Sequence, residues 1–352
     1  MSEVALRDFV PGRDDPAVEA LWGRCFGRPK GGQTVAWLFR EGPVGPCPRS
    51  VAELDGRVVA HAGVAVLRFQ IAGGEGLAGY SVGAMTDPAV RGRGLFVRTA
   101  EHLYQRLAQS GFALVAGFSN ARSARLHTQQ LGRTPIRPFP WCVRVLRPVG
   151  AGLAIVGVGR SASRTEAPLA EWPSSSASSC VRVEPCSPDD PRIDAVWEQA
   201  RREIVVGAVR DAAYARWRYA SRPDAGYRAG LALREGRPVG WVVARLLPLR
   251  GLRAAFLLDL LVDPEDRAAG TALLDAIDVW ARAGGAHVVS TLRPGHGAVR
   301  ALLARRHYLP IPERLHPQTI RFSVKGFGRF ASEPRLTSPE AWWLSWGDTD
   351  VV

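Results

Sequence analysis

The chain has 352 residues, enough for two domains that each bury a core. An apolar fraction of 46% and a charged fraction of 22% are typical of a globular protein, and no stretch approaches the 18 consecutive apolar residues of a membrane span. The five cysteines are an odd number at wide spacings, which predicts neither a disulfide framework nor a metal site. We therefore expect a cytoplasmic protein with no membrane segment and no metal.

Arginine supplies nearly all of the positive charge. The formal net charge is +13, and of the 46 basic residues only Lys30 and Lys325 are lysines. Because alanine is also abundant and the arginines are scattered along the chain, a codon bias explains the charge as well as a basic patch would. The charge suits an anionic ligand, and we do not expect a nucleic-acid partner from charge alone. The sequence indicates no oligomeric state.

The first half of the chain alternates predicted strands and helices. A strand is predicted from Ala5 to Phe9, followed by a helix that Asp15 caps and that has Pro16 at its first position. The stretch from Val51 to Ile71 predicts two strands joined by the tight turn Asp55-Gly56. A last short strand is predicted from Arg144 to Arg147.

The most informative stretch lies between residues 80 and 132. It predicts a strand from Tyr80 to Met85, a helix from Leu95 to Gln109 with apolar residues at helical spacing, and a second strand from Phe112 to Phe118. Between the first strand and the helix stands the run Asp87-Pro-Ala-Val-Arg-Gly-Arg-Gly-Leu95. The order is therefore strand, glycine-rich turn, helix, strand.

This glycine-rich turn predicts a phosphate-binding site. A helix N-terminus presents unpaired N–H groups and the positive end of the helix dipole, and Gly92 and Gly94 place no side chain in front of them. Arg91 and Arg93 add positive charge, so the turn suits the phosphates of a cofactor. The alternative interpretation is an ordinary tight turn with two solvated arginines.

The turn resembles the pyrophosphate loop of the GCN5-related N-acetyltransferase (GNAT) superfamily, whose pattern is Gln/Arg-x-x-Gly-x-Gly/Ala. Arg91 and Gly94 match this pattern, and Phe96 stands where Gly or Ala is usual. Asn120, after the next strand, matches the family's asparagine at the end of that strand, and the following residues resemble the family's next helix.

The second half repeats the landmarks of the first half in the same order. Trp217-Arg-Tyr corresponds to Trp37-Leu-Phe, and Glu235-Gly236 corresponds to Asp55-Gly56, both 180 residues later. Asp263-Pro264 follows Asp87-Pro88 by 176 residues. Several landmarks at a nearly constant offset predict two copies of one unit.

The second copy also carries a version of the loop. Arg267-Ala-Ala-Gly270-Thr-Ala272 fits the family pattern fully, but it has one glycine where the first copy has two. Glu265 and Asp266 stand immediately before it and would repel a phosphate. We therefore expect the first copy to hold the cofactor.

Together these features predict a mixed α/β fold of two tandem GNAT-like domains, each a mostly antiparallel sheet flanked by helices. The predicted divisions are a first domain with the acetyl-CoA site at residues 1–148, a linker rich in Gly, Ala, Ser and Pro at 149–179, a second GNAT-like domain at 180–324 and a C-terminal tail at 325–352. Because the tail carries three tryptophans within five residues, we expect it to dock on a domain surface.

The resemblance implies transfer of an acetyl group from acetyl-CoA to a small-molecule amine, such as an amino sugar, an antibiotic or a thiol precursor. It implies that the strand before the loop, the loop itself and the asparagine contact the cofactor. The corresponding residues are Ala84, Met85, Thr86, Arg91, Gly92, Arg93, Gly94, Leu95, Phe96 and Asn120.

Three residues are candidates for the proton transfers. Thr128 holds the place of a family tyrosine that serves as an acid, and His127 beside it carries a group that titrates near neutrality. The plan of two such domains followed by a tail is similar to the enhanced-intracellular-survival acetyltransferases, in which a C-terminal carboxylate reaches the active site; this resemblance implies the same role for Asp348 or its neighbours. The alternatives are a surface or capping histidine and a solvated acidic end.

Two other functions are compatible with the sequence. One is an acyl-CoA-binding sensor or scaffold without turnover, which the missing tyrosine favours. The other is a tRNA-dependent aminoacyl transferase, because relatives of that kind also duplicate this fold; those proteins do not rely on the Arg-x-x-Gly loop.

Overall fold

The computed structural model describes residues 4–27, 31–137, 140–148, 172, 180–223, 226–249, 251–316 and 320–349. They form two compact units, which consist of residues 1–137 with 320–338 and residues 138–319 with 339–352. The predicted linker, apart from Trp172, and the last three residues lie outside the described part of the chain. Within that part, no helix is both long and apolar enough to cross a membrane.

The first unit is one mixed sheet with helices packed on it. Its described strands follow the order β1-β2-β3-β4-β5-β15-β6; along this path β4 and β5 pair in parallel, and the other neighbours pair antiparallel. Numbered along the whole chain, its elements are β1 (Val4–Asp8), α1 (Asp15–Phe26), α2 (Gly32–Phe39), β2 (Arg49–Leu54), β3 (Arg57–Ile71), β4 (Gly74–Thr86), α3 (Leu95–Gln109), β5 (Leu114–Ser119), α4 (Ala121–Gln129), β6 (Thr134–Pro135) and β15 (Arg321–Gly326).

Alternation along the strands gives this sheet two buried faces. Val51 of β2 packs in a cluster with Leu21 of α1, whereas its neighbour Ala52 packs with Leu95 of α3. Because successive strand residues point to opposite faces, α1 and α3 cover opposite sides of the sheet. The predicted tight turn between β2 and β3 has positive φ at both Asp55 and Gly56, as a type I′ hairpin turn requires.

The second unit repeats this arrangement. Its described strands follow the order β8-β10-β11-β12-β13-β7-β14; along this path β12 and β13 pair in parallel, and the other neighbours pair antiparallel. Its elements are β7 (Trp141–Val145), β8 (Arg182–Cys186), α5 (Ile193–Ala200), β9 (Val206–Ala208), α6 (Ala212–Ala215), β10 (Arg228–Arg234), β11 (Arg237–Leu249), β12 (Leu252–Val262), α7 (Arg267–Ala283), β13 (Val288–Leu292), α8 (Gly297–Arg305) and β14 (Leu309–Pro310).

This repetition confirms the predicted mixed α/β fold with two copies of one unit. The turn at Glu235-Gly236 again has positive φ at both residues, and it joins the strands equivalent to β2 and β3. Trp172 is buried against Trp280 of α7, so the segment predicted as a linker contributes at least this one side chain to the core.

The two units exchange one strand each, which corrects the contiguous boundaries expected from the sequence. β7 was expected to complete the first copy, but it lies between β13 and β14 in the second sheet. β15 lies between β5 and β6 in the first sheet, although it was expected in the second copy. Packing explains both positions, because the ring of Trp141 of β7 meets that of Trp346 edge to face, and Phe322 of β15 packs on Phe118.

The segment expected to form one C-terminal tail is divided in the same way. Residues up to 338 belong to the first unit, where Phe327 packs on Tyr104 of α3. Residues from 339 onward belong to the second unit, and their three tryptophans are buried there.

We expect a fragment of residues 1–148 not to fold on its own. It contains the whole predicted first domain but lacks β15, so β5 and β6 lose the strand that joins them and the buried side chains of Phe322 and Val324. The measurement is thermal unfolding followed by circular dichroism, with the full chain as the reference. A cooperative transition of the fragment near that of the full chain would contradict this account.

Candidate functional site

The site begins where strands β4 and β5 part. Their parallel pairing covers only Ala78–Tyr80 against Leu114–Ala116, although β4 continues to Thr86 and β5 to Ser119. Beyond the last pair, the edges of the two strands that face each other have no ladder partner in the described structure. Backbone N–H and C=O groups line a gap of this kind, and they can form hydrogen bonds to an extended ligand as they would to another strand.

Arg133 braces the two strands at the point where they part. Its guanidinium donates to Ser81 Oγ of β4 at 3.1 Å and to the Gly117 carbonyl of β5 at 3.3 Å, one residue beyond the last pair on each strand. A Cβ on Gly117 would lie 3.2 Å from the Ser81 backbone nitrogen, so only glycine fits comfortably there. No pattern in the sequence indicates this role, since Arg133 is one of many arginines.

The glycine-rich turn at the end of β4 leads into α3 with an open backbone. The N-cap of α3 is Gly94 in the left-handed region, with φ at 71°, and it has no side chain to cap the first turn. A Cβ on Gly92 or on Gly94 would meet no atom within 4 Å. The first N–H groups of α3 therefore face open space with the positive end of the helix dipole behind them, which is the arrangement that binds phosphate.

Asp87 fixes the start of this turn. Its buried carboxylate accepts from Arg24 at 2.7 Å, from Arg57 at 2.5 Å and from the backbone N–H of Ala89 at 3.0 Å. Burial raises the pKa of Asp87, but the Ala89 hydrogen bond and the arginines outweigh it and hold the pKa below its ordinary value. The turn is thus anchored by an ionised side chain.

The corresponding region of the second unit is closed. With the repeat offset of 176, Arg267 corresponds to Arg91 of the glycine-rich turn. Helix α7 already begins at Arg267, whereas α3 begins only at Leu95, so α7 starts about one helical turn earlier after its preceding strand. The N-cap of α7 is Asp266, whose carboxylate accepts from Ala269 N–H and forms an ion pair with Arg234 at 2.6 Å. Gly270 lies inside the helix, where a Cβ would be 2.5 Å from Leu302.

The parting of β12 and β13 in the second unit is covered by the end of the chain. Pairing stops at Phe256 and Ser290, and the Trp346 side chain donates to Ser290 Oγ at 3.2 Å and packs on Phe256. A Cβ on Gly347 would lie 2.5 Å from a carboxylate oxygen of Asp259 of β12. The tail therefore contacts both strands where they part and excludes a ligand from that place.

His127 is buried beside the first unit's braced strands. Its Nδ1 lies 3.2 Å from Tyr104 Oη and 3.4 Å from the Arg133 guanidinium, and its ring meets Phe96 edge-on at 5.3 Å. Burial, with a smaller contribution from the Arg133 charge, lowers the pKa of His127 to about 3. The imidazole is thus neutral at physiological pH, and the family position occupied by Phe96 serves here to pack it.

The other predicted site residues around the turn differ in their exposure. Arg91, Gly92, Arg93 and Gly94 are exposed on the turn, with Ala84 exposed on β4 before it. Met85 and Leu95 are buried in the core on opposite faces of the sheet. The half-buried Thr86 presents its carbonyl to the Arg91 Nε at 3.3 Å, so the Arg91 side chain folds back over the strand end.

Asn120 and Thr128 both use their polar groups within α4. Asn120 caps the helix, and its Oδ1 accepts from the Ser123 N–H at 3.0 Å. The Thr128 hydroxyl donates to the Ala124 carbonyl at 3.0 Å, one turn earlier in the helix. Thr128 also lines a groove beside the strands β6 and β15.

Asp348 is buried in the second unit. Its carboxylate accepts from Arg210 at 2.6 Å, and Arg210 also pairs with Asp259 at 3.2 Å. Burial raises the pKa of Asp348, while the Arg210 charge opposes this. The neighbouring Gly347 carbonyl accepts hydrogen bonds from Tyr214 and from Arg218. These contacts hold this end of the tail in place. A catalytic role for Asp348 stays a prediction.

Comparison with known families matches both halves of the chain. The model described as "Acetyltransferase (GNAT) domain" matches residues 13–125, and that described as "Acetyltransferase (GNAT) family" matches residues 193–308. The chain carries two GNAT domains in tandem. No curated protein matches it.

Solved structures share this tandem GNAT fold at low sequence identity. A probable N-acyltransferase from Enterococcus faecalis is 11% identical with a TM-score of 0.62, and the match covers 92% of this chain and 72% of that one. A GCN5-related N-acetyltransferase from Kribbella flavida is 16% identical with a TM-score of 0.59, covering 92% and 71%. The Saccharomyces cerevisiae N-myristoyltransferase with bound myristoyl-CoA is 8% identical with a TM-score of 0.54, covering 92% and 83%.

The neutral state of His127 predicts a pH dependence of stability. As the pH falls below the unfolded value of 6.5, the unfolded histidine binds a proton while the folded one does not, so stability is lost between about 6.5 and about 3. At pH 5.5 this loss is about 1.4 kcal/mol relative to pH 8. Urea unfolding of His127→Gln at the two pH values should show a difference smaller than that of the wild type by about this amount.

His61 provides an internal reference for that experiment, because burial lowers its pKa to about 4 and it is present in both proteins. An identical pH difference in the two proteins would mean that His127 titrates normally.

The contacts of Asp348 predict that its substitution destabilises the protein. Asp348→Asn removes one of the two carboxylates that balance the buried Arg210, which should cost about 3 kcal/mol in the free energy of unfolding. Chemical denaturation measures this, with Glu198→Gln as the control in an exposed ion pair that should change stability by less than about 0.5 kcal/mol. Unchanged stability together with lost transfer activity would instead identify Asp348 as the base.

Proposed function

We propose that the protein is an N-acetyltransferase that transfers an acetyl group from acetyl-CoA to a small-molecule amine. The observation that carries this proposal is the open glycine turn at the N-terminus of α3, next to the gap between β4 and β5, in a chain with the GNAT fold. The turn suits a pyrophosphate, and the gap suits an extended pantetheine arm that binds along a strand edge.

The residues of the first unit fit acetyl-CoA at both places. The Arg91 to Gly94 turn provides backbone N–H groups and two guanidinium groups without a carboxylate among its side chains. Residues Ala84 to Thr86 lie beyond the end of the β4–β5 ladder, so this stretch of β4 presents backbone groups to the gap between the two strands. When bound, acetyl-CoA supplies an activated thioester.

The chain's own groups then orient the bound acetyl-CoA and polarise its thioester carbonyl. Backbone N–H groups at the edge of β4 are the donors available for a developing oxyanion, since such donors are fixed by the sheet before any ligand arrives. The low pKa of His127 makes it a weak base, so its contribution is to hold Tyr104 and Arg133 in place. Asp348 and Thr128 remain candidates for moving the proton.

The second unit's equivalent of the cofactor site is filled by its own side chains, which supports a single cofactor site in the chain. Asp266 occupies the helix N-terminus there, and the tail covers the parted strands. We propose that the second unit contributes structure and positions the tail, while the first unit binds acetyl-CoA.

A second function is favoured by one observation. The hydroxyl of Thr128, which stands where the family has a tyrosine, donates to carbonyls within its own helix. A chain that lacks this acid would bind acyl-CoA as a sensor or scaffold without turnover. Acetyl-CoA binding without thiol release in the presence of any amine would favour this function.

The loop assignment predicts a charge-specific loss of binding. Gly94→Asp places a carboxylate in front of the first N–H groups of α3, whereas Gly94→Asn has the same size, tolerates positive φ and adds no charge. We expect calorimetry to show acetyl-CoA binding weakened at least about tenfold for Gly94→Asp, which is about 1.4 kcal/mol, and little changed for Gly94→Asn.

The control in the second unit is Asp266→Asn, which removes a charge at the closed helix N-terminus and should leave acetyl-CoA binding unchanged. Equal affinities of the two Gly94 variants would show that the phosphates bind elsewhere. A screen of amines for acetyl-CoA-dependent thiol release, with the Gly94→Asp variant as the negative control, then tests the transfer itself.

A further inference from the structure

Strand β4 carries one residue more than its partner β3 near the place where it parts from β5. His61 of β3 pairs with Met85, and Gly63 pairs with Val82, so one residue of β3 stands opposite two residues of β4. A bulge of this kind interrupts the ladder and re-aims the strand that carries it. It lies between the end of the β4–β5 ladder and the glycine-rich turn, which is the stretch that borders the gap.

The bulge decides which backbone groups of β4 face the gap. Before it, the Leu77 carbonyl accepts from the Ala113 N–H, so the odd-numbered residues of β4 face β5. After it, the Asp87 N–H donates to the Val59 carbonyl, so the odd-numbered residues face β3. Because backbone groups alternate along a strand, Thr86 turns its N–H towards the gap, whereas a strand without the bulge would turn it towards β3.

One side chain ties the bulge to the neighbouring strand. His61 Nδ1 lies 2.8 Å from the Gly83 carbonyl oxygen, and because a carbonyl only accepts, Nδ1 carries the proton and donates. Burial lowers the pKa of His61 to about 4, so the ring is neutral at physiological pH. His61 therefore bonds to the bulged stretch of β4 with a single fixed tautomer.

Packing fixes the ring that makes this bond. The buried His61 ring meets the rings of Phe9 and Phe39 edge-on, with centroid distances of 6.2 Å and 5.7 Å. Gly83 has φ at 65°, and a Cβ there would lie 2.9 Å from the Phe39 ring. A Cβ on Gly63 would lie 2.8 Å from the same ring. Both glycines are thus needed where Phe39 covers the bulge.

The second unit has an irregular ladder at the same place but not this hydrogen bond. With the offset of 180 residues that relates the hairpin turns, Trp241 corresponds to His61, and it pairs with Leu261 as His61 pairs with Met85. Close to this pair, Leu258 is an extra residue in β12. Trp241 Nε1 has no hydrogen-bond partner in the described structure. The histidine therefore belongs to the unit with the open gap, whereas a histidine needed only to fold such a ladder would be expected in both.

We propose that His61 is a positioning residue for acetyl transfer, because it holds the bulge that turns the Thr86 N–H towards the gap between β4 and β5. The proposal rests on the proposed acetyltransferase function and adds a residue to it. His61 itself touches neither acetyl-CoA nor the amine, since its ring is buried beneath Phe39.

The direction of this N–H matters for the reaction. The amine nitrogen bonds to the acetyl carbon, and the C=O electron pair moves onto the oxygen and returns as the C–S bond breaks. The proton lost by nitrogen is gained by the CoA thiolate. A backbone N–H that already points at the oxygen stabilises the charge that develops there.

Two substitutions separate the donor from the ring. His61→Phe keeps an aromatic ring in the same packing and removes the donor, whereas His61→Asn keeps an N–H at the place of Nδ1. With an amine found in the thiol-release screen, we expect kcat of His61→Phe to fall at least about tenfold while the KM for acetyl-CoA changes by less than about threefold. His61→Asn should restore kcat to within about threefold of the wild type.

The matched control is Trp241→Phe, at the equivalent position of the closed unit, which should keep the wild-type kcat per folded molecule. Thermal unfolding of each variant gives the folded fraction to which kcat is referred. A folded His61→Phe protein with the wild-type kcat would overturn the proposal, and so would a His61→Asn protein as slow as His61→Phe.

A measurement without turnover keeps the proposal separate from the function on which it rests. Infrared spectroscopy of acetyl-CoA labelled with carbon-13 at the thioester carbonyl reports the hydrogen bond to that oxygen, because a donor lowers the C=O stretching frequency. The band should lie below that of free acetyl-CoA in the wild type and in His61→Asn, and return towards the free value in His61→Phe.

A lowered band that depends on the His61 donor supports the proposal even when no amine is acetylated. The same band position in the wild type and in His61→Phe overturns the positioning role and leaves the proposed function standing. Failure of acetyl-CoA to bind the wild type overturns the proposed function and the positioning role together.

Discussion

The short parallel ladder between β4 and β5 is the constraint on which the rest of the first unit depends. Three residue pairs hold the strands together, and beyond them the strands diverge while Arg133 bonds to both. A longer ladder would satisfy the backbone groups of both strands internally and leave nothing for a ligand to bind. The turn after β4, the cap of α4 after β5 and the buried His127 are all arranged around this opening.

The two units show how one fold loses a binding site without losing its architecture. In the described residues, the order of the strands along each sheet and the place of the parallel pair in that order are the same in both. In the second unit a helical turn replaces the glycine turn, and a network of Arg210, Asp259 and Asp348 holds the tail against the parted strands. Because these charges are buried together, each one depends on the others for compensation.

Much of the fold could be predicted because its signals are local. The Asp55-Gly56 and Glu235-Gly236 turns demand positive φ and thereby fix the hairpins, and the offsets between them reveal the duplication. The exchange of β7 and β15 could not be predicted, since a short apolar strand does not encode which of two similar sheets it joins. That choice is made by distant side chains such as Trp346 and Phe118.

The candidate site was predictable only in part, because it too depends on contacts between residues far apart in the chain. Glycines at 92 and 94 signal an open turn, whereas alanines at 268 and 269 favour a helix, although the second stretch fits the family pattern more fully. Burial decides the rest: the pKa of His127, the role of Arg133 and the ion pair of Asp348 arise from contacts between residues far apart in the chain.

The exchanged strands also set the order in which the chain completes itself during synthesis. β6 ends at Pro135 and its neighbour β15 begins at Arg321, so about 185 residues are made before the first sheet receives its missing strand. At ribosomal rates this takes roughly 10 to 40 s. Throughout that time the edge of β5 stands open to pairing with other chains, as unprotected sheet edges do. The nascent first unit is thus a natural client for a chaperone at the ribosome until its last strand emerges.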